Sequence, residues 1–377
     1  MNSKIEAAEI IKLIKRYEEG KLNQDFIAIK IGEYVKKYGT PIIHENIVVF
    51  VYIGFASKVN VIGDWNGWNL NADPMTRIGI TPVFYLVKNF PLDARLEYKF
   101  VVDRKRILDP LNSLRSENGV SSEIRMPDYK PPEFLSSNIM EVYGMRGKLK
   151  NISSFFEARR VYVYTPPGYE YSTIDYPLLI VNDGTGYLKR ARICDLLDYA
   201  ILKGEIVPVL AVLVDAHSKK EYMMDEEYAR FLASEIIPHM LSNYRVNRKK
   251  ICTIGASLGG LTSLFLSLSY PDIFGYAISQ SGLFLKKNEF LRLGFNPERD
   301  VFDILIEYRG PSLKVFLECG TYEHVLGIDV AERNEELYNE LLLKGFKVDK
   351  LKINQGHNWT NWRDSLLSAL KRFFQPK

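Results

Sequence analysis

A doubly wound α/β domain with a mostly parallel sheet, preceded by a small antiparallel β-sandwich, is predicted for this 377-residue chain. Three observations predict it. Between about residues 48 and 102, short β-rich runs follow one another with turn residues but no helix between them. A polar stretch containing Pro127, Pro131 and Pro132 then interrupts the pattern. Beyond it, apolar strand-like runs alternate with helical ones, which is what a parallel sheet covered on both faces requires. The length itself exceeds one typical domain.

The elements follow in order. Residues 1–40 read as an N-terminal helical segment, because Ile5, Ile10, Ile11, Ile14 and Tyr17 recur at helical spacing with Lys and Glu on the other face. Residues 41–130 form the expected sandwich, with strands at 48–52, 59–63, 83–87 and 95–102. The boundary is expected within residues 126–140. Residues 131–377 form the α/β part. Its strands are expected at 160–165, 178–182, 209–214, 251–255, 276–279, 314–319 and 350–353, and its helices at 226–244, 258–270 and 332–344.

Composition narrows the function. Hydrophobic residues make up 46% and charged residues 25%, enough for a large core. A net charge of +4, spread along the chain, argues against nucleic acid, which calls for a clustered basic face. Cys194, Cys252 and Cys319 are odd in number and widely spaced, as expected of small residues in a reducing compartment rather than of a disulfide framework. No CxxC, HExxH or paired-His spacing suggests a metal. The first twenty residues carry charges every few positions, unlike a secretory signal. No run is long enough to span a membrane. A cytoplasmic protein is expected, and a homodimer is compatible with this composition.

Residues 255–260 read Gly255-Ala256-Ser257-Leu258-Gly259-Gly260, a GxSxG pattern. A strand-like run precedes it and a helical run follows. A serine on such a turn needs small neighbours, which Gly255 and Gly259 supply, and the turn pushes its hydroxyl out at the carboxyl edge of the sheet. Ser257 is therefore the expected nucleophile. The bland alternative is a glycine-rich turn that only packs tightly.

A serine hydroxyl needs a base, and in this chain order a histidine should follow it. His217 precedes Ser257, while His44 and His239 fit surface or packing roles. His324 and His357 remain; His357 lies between the last strand and the last helix, after the flexible Gly356, and is the expected base. The acid should follow the penultimate strand. Glu323 is first choice, Asp329 its rival and Asp364 weaker; a dyad without an acid stays open. The oxyanion hole is expected from the backbone N–H groups of Leu258 and Thr185, the latter in Asp183-Gly184-Thr185-Gly186. Gly184, Trp359, Tyr187 and Lys220 are the expected substrate contacts. Trp362 and Phe284 are further aromatic candidates, although each aromatic alone fits a core position. The chemistry needs neither metal nor cofactor.

Several segments together resemble a family of esterases of α/β-hydrolase fold that includes enterochelin esterases, esterase D, feruloyl esterase modules and mycolyltransferases. They are Thr165-Pro166-Pro167-Gly168-Tyr169, Asn182-Asp183-Gly184, the Ser257 motif, Tyr270-Pro271-Asp272-Ile273-Phe274-Gly275, Ser279-Gln280-Ser281-Gly282 and Gly356-His357-Asn358-Trp359-Thr360-Asn361-Trp362-Arg363. The last two resemble the enterochelin-esterase branch. The resemblance covers roughly residues 150–374. It implies hydrolysis of a small-molecule carboxylic ester through Ser257 and His357, with an acid near Glu323 and an oxyanion loop at Asp183-Gly184-Thr185. Where that branch has an arginine and a Glu-Leu pair, Lys220, Glu221 and Tyr222 stand here, and lysine cannot reproduce arginine's planar fork. Acyl transfer to a sugar acceptor, or a binding protein that keeps only the fold, are the competing readings.

The segments from Val61 to Trp68 and from Glu97 to Asp103, with Leu108-Asp109-Pro110, resemble the early-set modules of isoamylases and glycogen-binding kinase subunits. In glycan-binding members the positions matching Trp68 and Lys99, with a second tryptophan, form a sugar platform. No tryptophan occurs in 103–107, so a lid or structural role is expected for the sandwich.

Overall fold

The computed structural model describes residues 2–156, 159–325 and 327–376. By its internal contacts the chain divides into two compact units. One comprises Met1–Lys130, Thr321–Ile328 and Asn354–His357; the other comprises Pro131–Gly320, Asp329–Ile353 and Asn358–Lys377.

The first unit has three layers. Helices Asn2–Glu18 and Gln24–Tyr38 cover an antiparallel sheet of Ile42–His44, Ile47–Ile53, Val83–Asn89 and Thr76–Arg77. A second sheet is built on Arg95–Val102, which pairs antiparallel with Val59–Gly63, Lys105–Ile107 and Ser122–Arg125. The strand Ile47–Ile53 shows why its sequence is apolar without alternation. Successive side chains point to opposite faces. Val49 and Val51 pack with Ile10, Ile14, Ile27 and Ile31 of the helices, while Val48 and Phe50 pack with Val61, Leu96 and Phe100 of the other sheet. Both faces of that strand are therefore core.

Within this unit Arg95 is wholly buried. Its guanidinium meets Glu97 at 2.9 Å and also pairs with Glu123. Asp64 lies beside them, 5% exposed, and accepts hydrogen bonds from the Glu97 amide (2.8 Å) and the Trp68 indole (3.2 Å). Burial, and then the neighbouring Glu97 charge, push the Asp64 carboxyl up to about 8.

In the second unit the eight strands of one sheet are numbered here β1 (Lys148–Asn151), β2 (Val161–Thr165), β3 (Tyr176–Asn182), β4 (Leu210–Val214), β5 (Val246–Ala256), β6 (Tyr276–Gln280), β7 (Lys314–Tyr322) and β8 (Lys347–Gly356). Their order is β8-β7-β6-β5-β3-β4-β2-β1. The pairs from β4 through β3, β5 and β6 to β7 are parallel, while β2 is antiparallel to β4 and to β1. This is the doubly wound sheet that the strand–helix alternation predicts. Leu179, Val181, Leu213, Ile254 and Phe316 pack on one face against helices Ile193–Leu202 and Trp359–Phe374. Leu178, Ile180 and Val212, offset by one residue, are equally buried on the other.

The helix expected at 226–244 divides into Glu226–Phe231, a π-helical stretch Leu232–Ile236 and Ile237–Asn243. Pro238 supplies the reason: it has no N–H to donate and crowds the preceding turn, so the ladder widens there. Among the described residues no helix is long and apolar enough to cross a membrane.

The Asp64 environment carries a pH signature. Its folded-state value lies above the roughly 3.9 of an unfolded aspartate. The folded state therefore holds a proton that the unfolded chain releases between those values. The stability from this group is complete below about pH 4 and is lost as pH rises toward 8. The thermal midpoint of Asp64→Asn should fall less steeply over that window than that of the parent, as differential scanning calorimetry from pH 5 to 8 would show; parallel curves would refute it.

Candidate active site

The centre of the second unit's sheet delivers Ser257. Strand β5 ends at Ala256 and the helix Leu258–Ser269 begins immediately after Ser257, whose φ of 56° and ψ of −119° lie in a region few non-glycine residues occupy. Backbone hydrogen bonds hold it there. Its N–H donates to the Gln280 carbonyl on β6 (2.9 Å), and its carbonyl accepts from Gly260 (3.0 Å), Leu261 (3.2 Å) and Leu283 (3.1 Å). The Leu258 N–H heads the helix's first turn, where no intrahelical carbonyl can reach it. That end of the helix favours developing negative charge.

The two glycines of the motif are not equivalent. A Cβ at Gly255 would fall 2.2 Å from the Gly259 carbonyl oxygen and 2.3 Å from its carbon, a collision with backbone that cannot give way. At Gly259 the nearest atom would be Asn182 Cβ at 3.6 Å, an ordinary contact. The motif predicts a steric need at both positions, and only Gly255 has one.

Ser257, Leu258 and Gly259 line a cavity of about 720 Å³ whose other walls include Trp359, Trp362, Asp183, Thr185, Asp215 and Tyr222. Arg160, Lys189, Arg190 and Lys219 also line it, with His217. The cations outnumber the carboxylates Asp183 and Asp215. Arg160 pairs with Asp215 at 2.9 Å, and Asp183 is raised by burial and then by the Asp215 charge. Tyr222, which the sequence marks only as a departure from a family pattern, organises one wall. Its phenolic oxygen accepts the N–H groups of both Asp183 and Ala216 at 2.9 Å. The neighbouring Glu221 pairs with Arg159 at 2.6 Å; although burial opposes it, this pairing and the His217 amide hold the carboxyl below its usual range.

Five sequence expectations change here. The Thr185 N–H donates to Asp215 at 2.8 Å, and its hydroxyl bonds the same carboxylate, so that amide is committed rather than offered to an oxyanion. Asp215 lies thirty positions away in sequence, and nothing local announces the contact. Tyr187 is fully buried, with its hydroxyl on Gln280 at 2.8 Å, and belongs to the core rather than the cavity. Gly184 packs on β4, where a Cβ would strike the Leu213 carbonyl carbon at 2.6 Å, and does not line the cavity. Lys220 lines a separate cavity of about 510 Å³ with Met223, Met224 and Phe295; Lys219 lines that of Ser257. Phe284 is buried core as well. Trp359 and Trp362 do line the Ser257 cavity.

His357 and Glu323 belong to segments that group with the first unit, Asp329 and Asp364 to segments of the second. His357 follows β8, and its Nδ1 lies 3.0 Å from Oε2 of Glu323, which is completely buried just after β7. A carboxylate can only accept, so the contact favours a proton on Nδ1, which in the neutral imidazole leaves the lone pair on Nε2. Asp329 caps the helix Val330–Leu343 by accepting from the Glu332 N–H at 3.0 Å, and Asp364 contacts Arg363 at 2.9 Å. His239 stacks on Phe155 and Phe156.

A sheet of this order with a serine at its central strand-to-helix turn is that of the α/β-hydrolase fold. The chain belongs to the Putative esterase family, whose profile matches residues 152–373. It is 23% identical over 287 residues to an iron(III) enterobactin esterase of Escherichia coli O6:H1, a match covering 72% of this chain and 68% of that protein. With the iron(III) enterobactin esterase of Dickeya dadantii it shares 25% identity over 227 residues, 56% of this chain and 51% of the relative. Among solved structures, the enterobactin esterase of Shigella flexneri with 2,3-dihydroxy-N-benzoyl-serine superposes with a TM-score of 0.67 at 19% identity, covering 92% of this chain and 98% of that one.

The glycine asymmetry is testable. Gly255→Ala should destabilise by about 1–3 kcal/mol, whereas Gly259→Ala should stay within about 1 kcal/mol of the parent. Urea denaturation of both variants measures this, and equal losses would contradict the geometry.

Proposed function

We propose that the chain hydrolyses a small-molecule carboxylic ester by the sequence Ser257, His357 and Glu323. His357 Nε2 takes the Ser257 proton as the hydroxyl oxygen attacks the ester carbonyl. The Leu258 N–H receives the charge that develops on the carbonyl oxygen. His357 then delivers the proton to the leaving alcohol, and water clears the acyl-enzyme by the same steps in reverse. The observation that carries this reading is the serine held on its left-handed turn at the head of a helix. The His357–Glu323 contact supports it, because it orients the imidazole and would stabilise the imidazolium.

The cavity's charge favours an anionic ester. Arg160, Lys189, Arg190 and Lys219 face two carboxylates, one of them raised, and Trp359 and Trp362 offer aryl contact. Iron(III) enterobactin, named for the relatives, belongs to that class of anionic aryl-bearing esters. A siderophore lactone is the proposed substrate, ahead of feruloyl sugars and simple acyl esters. Hydrolysis assays over those three groups, with and without ferric iron, decide the matter; fastest turnover of the neutral acyl esters would defeat the proposal.

Ser257→Ala should lower turnover by at least about a thousandfold and abolish the fluorophosphonate adduct. Glu323→Gln should lower turnover by on the order of 10²–10⁴-fold while leaving Ser257 labelling measurable. Unchanged turnover would remove Glu323 from the acid's role. Lys189→Ala and Lys219→Ala should each raise KM for the anionic ester about fivefold, and by less for a neutral one, with the gap closing at high salt. Equal effects on both esters would remove charge recognition from the proposal.

A further inference from the structure

The turn Asp64-Trp65-Asn66-Gly67-Trp68 resembles part of a sugar platform, yet both of its indole N–H groups are used internally. Trp65 donates to Asp73 at 2.6 Å and Trp68 to Asp64 at 3.2 Å. Trp68 sits at a φ of 59°, a left-handed conformation that costs on the order of 1–3 kcal/mol and persists only where the surroundings enforce it. The segments packed on this turn are the ones that carry the proposed acid and base. A Cβ on Gly356 would lie 2.2 Å from Asp64 Cγ and 2.4 and 2.5 Å from its two oxygens, so the residue before His357 rests directly on the carboxyl. A Cβ on Gly67 would lie 3.2 Å from that of His324, the residue after Glu323. A second tie joins the same segments. The Asn354 side chain donates to Asp93 at 2.8 Å and accepts from the Thr321 hydroxyl at 3.0 Å. Phe90 packs edge-on against Tyr322 at 6.1 Å.

We propose that the Asp64–Trp68 turn and Asp93 are positioning elements of the hydrolase: they brace the segments bearing His357 and Glu323 and so set the orientation of the imidazole. The first unit's β layer then has a part in turnover without touching substrate. This rests on the reading of His357 as the base. Asp64 acts by contact, filling the space above Gly356 while its oxygens are fixed by the Glu97 and Trp68 N–H groups. Any group that lets Gly356 settle toward position 64, or pushes it away, shifts the imidazole.

The test measures kcat, KM and thermal midpoint in the full chain with an aryl ester. Asp64→Ala should lower kcat by about 10- to 100-fold with KM within about twofold, because a small misplacement of a catalytic group costs that much. Gly356→Ala should lower kcat comparably. The double variant should be no worse than the poorer single one, since the shortened side chain at position 64 makes room for the new methyl. Asp93 is exposed, so its variants should fold whatever happens at Asp64. Asp93→Ala should lower kcat about 3- to 10-fold, and Asp93→Asn, which can still accept from Asn354, should restore it. Losses that multiply in the double variant, or unchanged kcat in folded Asp64→Ala and Asp93→Ala, would overturn the brace. Should Asp64→Ala fail to fold, the Asp93 pair decides. Retained turnover in His357→Ala would instead strike the assignment of the base, and so separates the two failures.

Discussion

A non-glycine residue at positive φ, placed where strand passes directly into helix, sets the terms for the rest of the second unit. Such a conformation costs on the order of 1–3 kcal/mol and survives only if its surroundings leave no alternative. At Ser257 three features remove the alternatives. The β6 carbonyl at Gln280 holds the amide, three N–H groups hold the carbonyl, and the Gly255–Gly259 approach leaves no space for a side chain on the strand. Strand β5 has parallel neighbours on both sides, β3 and β6, and the β6 side supplies the bond to the turn. Motif segments around it serve the same end. Gln280 spans from the Tyr187 hydroxyl to the Trp362 carbonyl and Ser365, and the Trp362 indole reaches Ser281 at 2.8 Å. These family-marking residues form a buried polar lattice rather than a reactive surface. The bonds from Gln280 and Trp362 tie β6 to the last helix and so favour one packing over others.

The proposed acid and base, Glu323 and His357, are held by different means. Strands β7 and β8 run on beyond the residues that group with the rest of their sheet, and Thr321–Ile328 and Asn354–His357 take their contacts from the first unit. Hydrogen bonds of the sheet cannot fix a side chain that lies past the strand's end. Side-chain ties and close backbone approaches take over, and Gly356 is required there because Asp64 occupies the place of its Cβ. From sequence, Gly356 reads as freedom to turn. The structure gives its role as closeness to a neighbour that a sequence window around residue 356 does not contain.

The same distinction separates what is legible in the sequence from what is not. Strands with both faces in the core announce themselves as unbroken apolar runs, as in Leu178 to Val181 and Leu210 to Val214, and the alternation with helices fixes the fold class. The chain order of serine, acid and histidine is equally local, and the structure brings Glu323 and His357 within 3.0 Å. Strand β1 leaves no apolar pattern to read, because all four of its residues are exposed. Thr185, Tyr187 and Gly184 mislead for one common reason. A residue type shows that a side chain can bond or stack, but not which distant partner has already claimed it. Asp215 claims Thr185, Gln280 claims Tyr187 and the β4 backbone claims the space at Gly184.

The loop after β4 shows how specificity could be retuned without touching the reactive atoms. Its backbone is pinned at two points, by the Tyr222 oxygen under Ala216 and by Glu221 on the His217 amide. Glu221 is in turn anchored by Arg159, which lies over the Phe231 ring at 4.5 Å. A loop held this firmly presents a fixed face, so adjacent lysines reach different cavities: Lys219 that of Ser257, Lys220 the one beside Met223. A cation on a flexible stem contributes charge with little directional demand, whereas an arginine would impose a planar two-bond geometry. Lys219 brings such a charge to the Ser257 cavity, beside Lys189 and the guanidinium groups of Arg160 and Arg190. The aromatic walls at Trp359 and Trp362 and the fixed position of Ser257 complete that cavity.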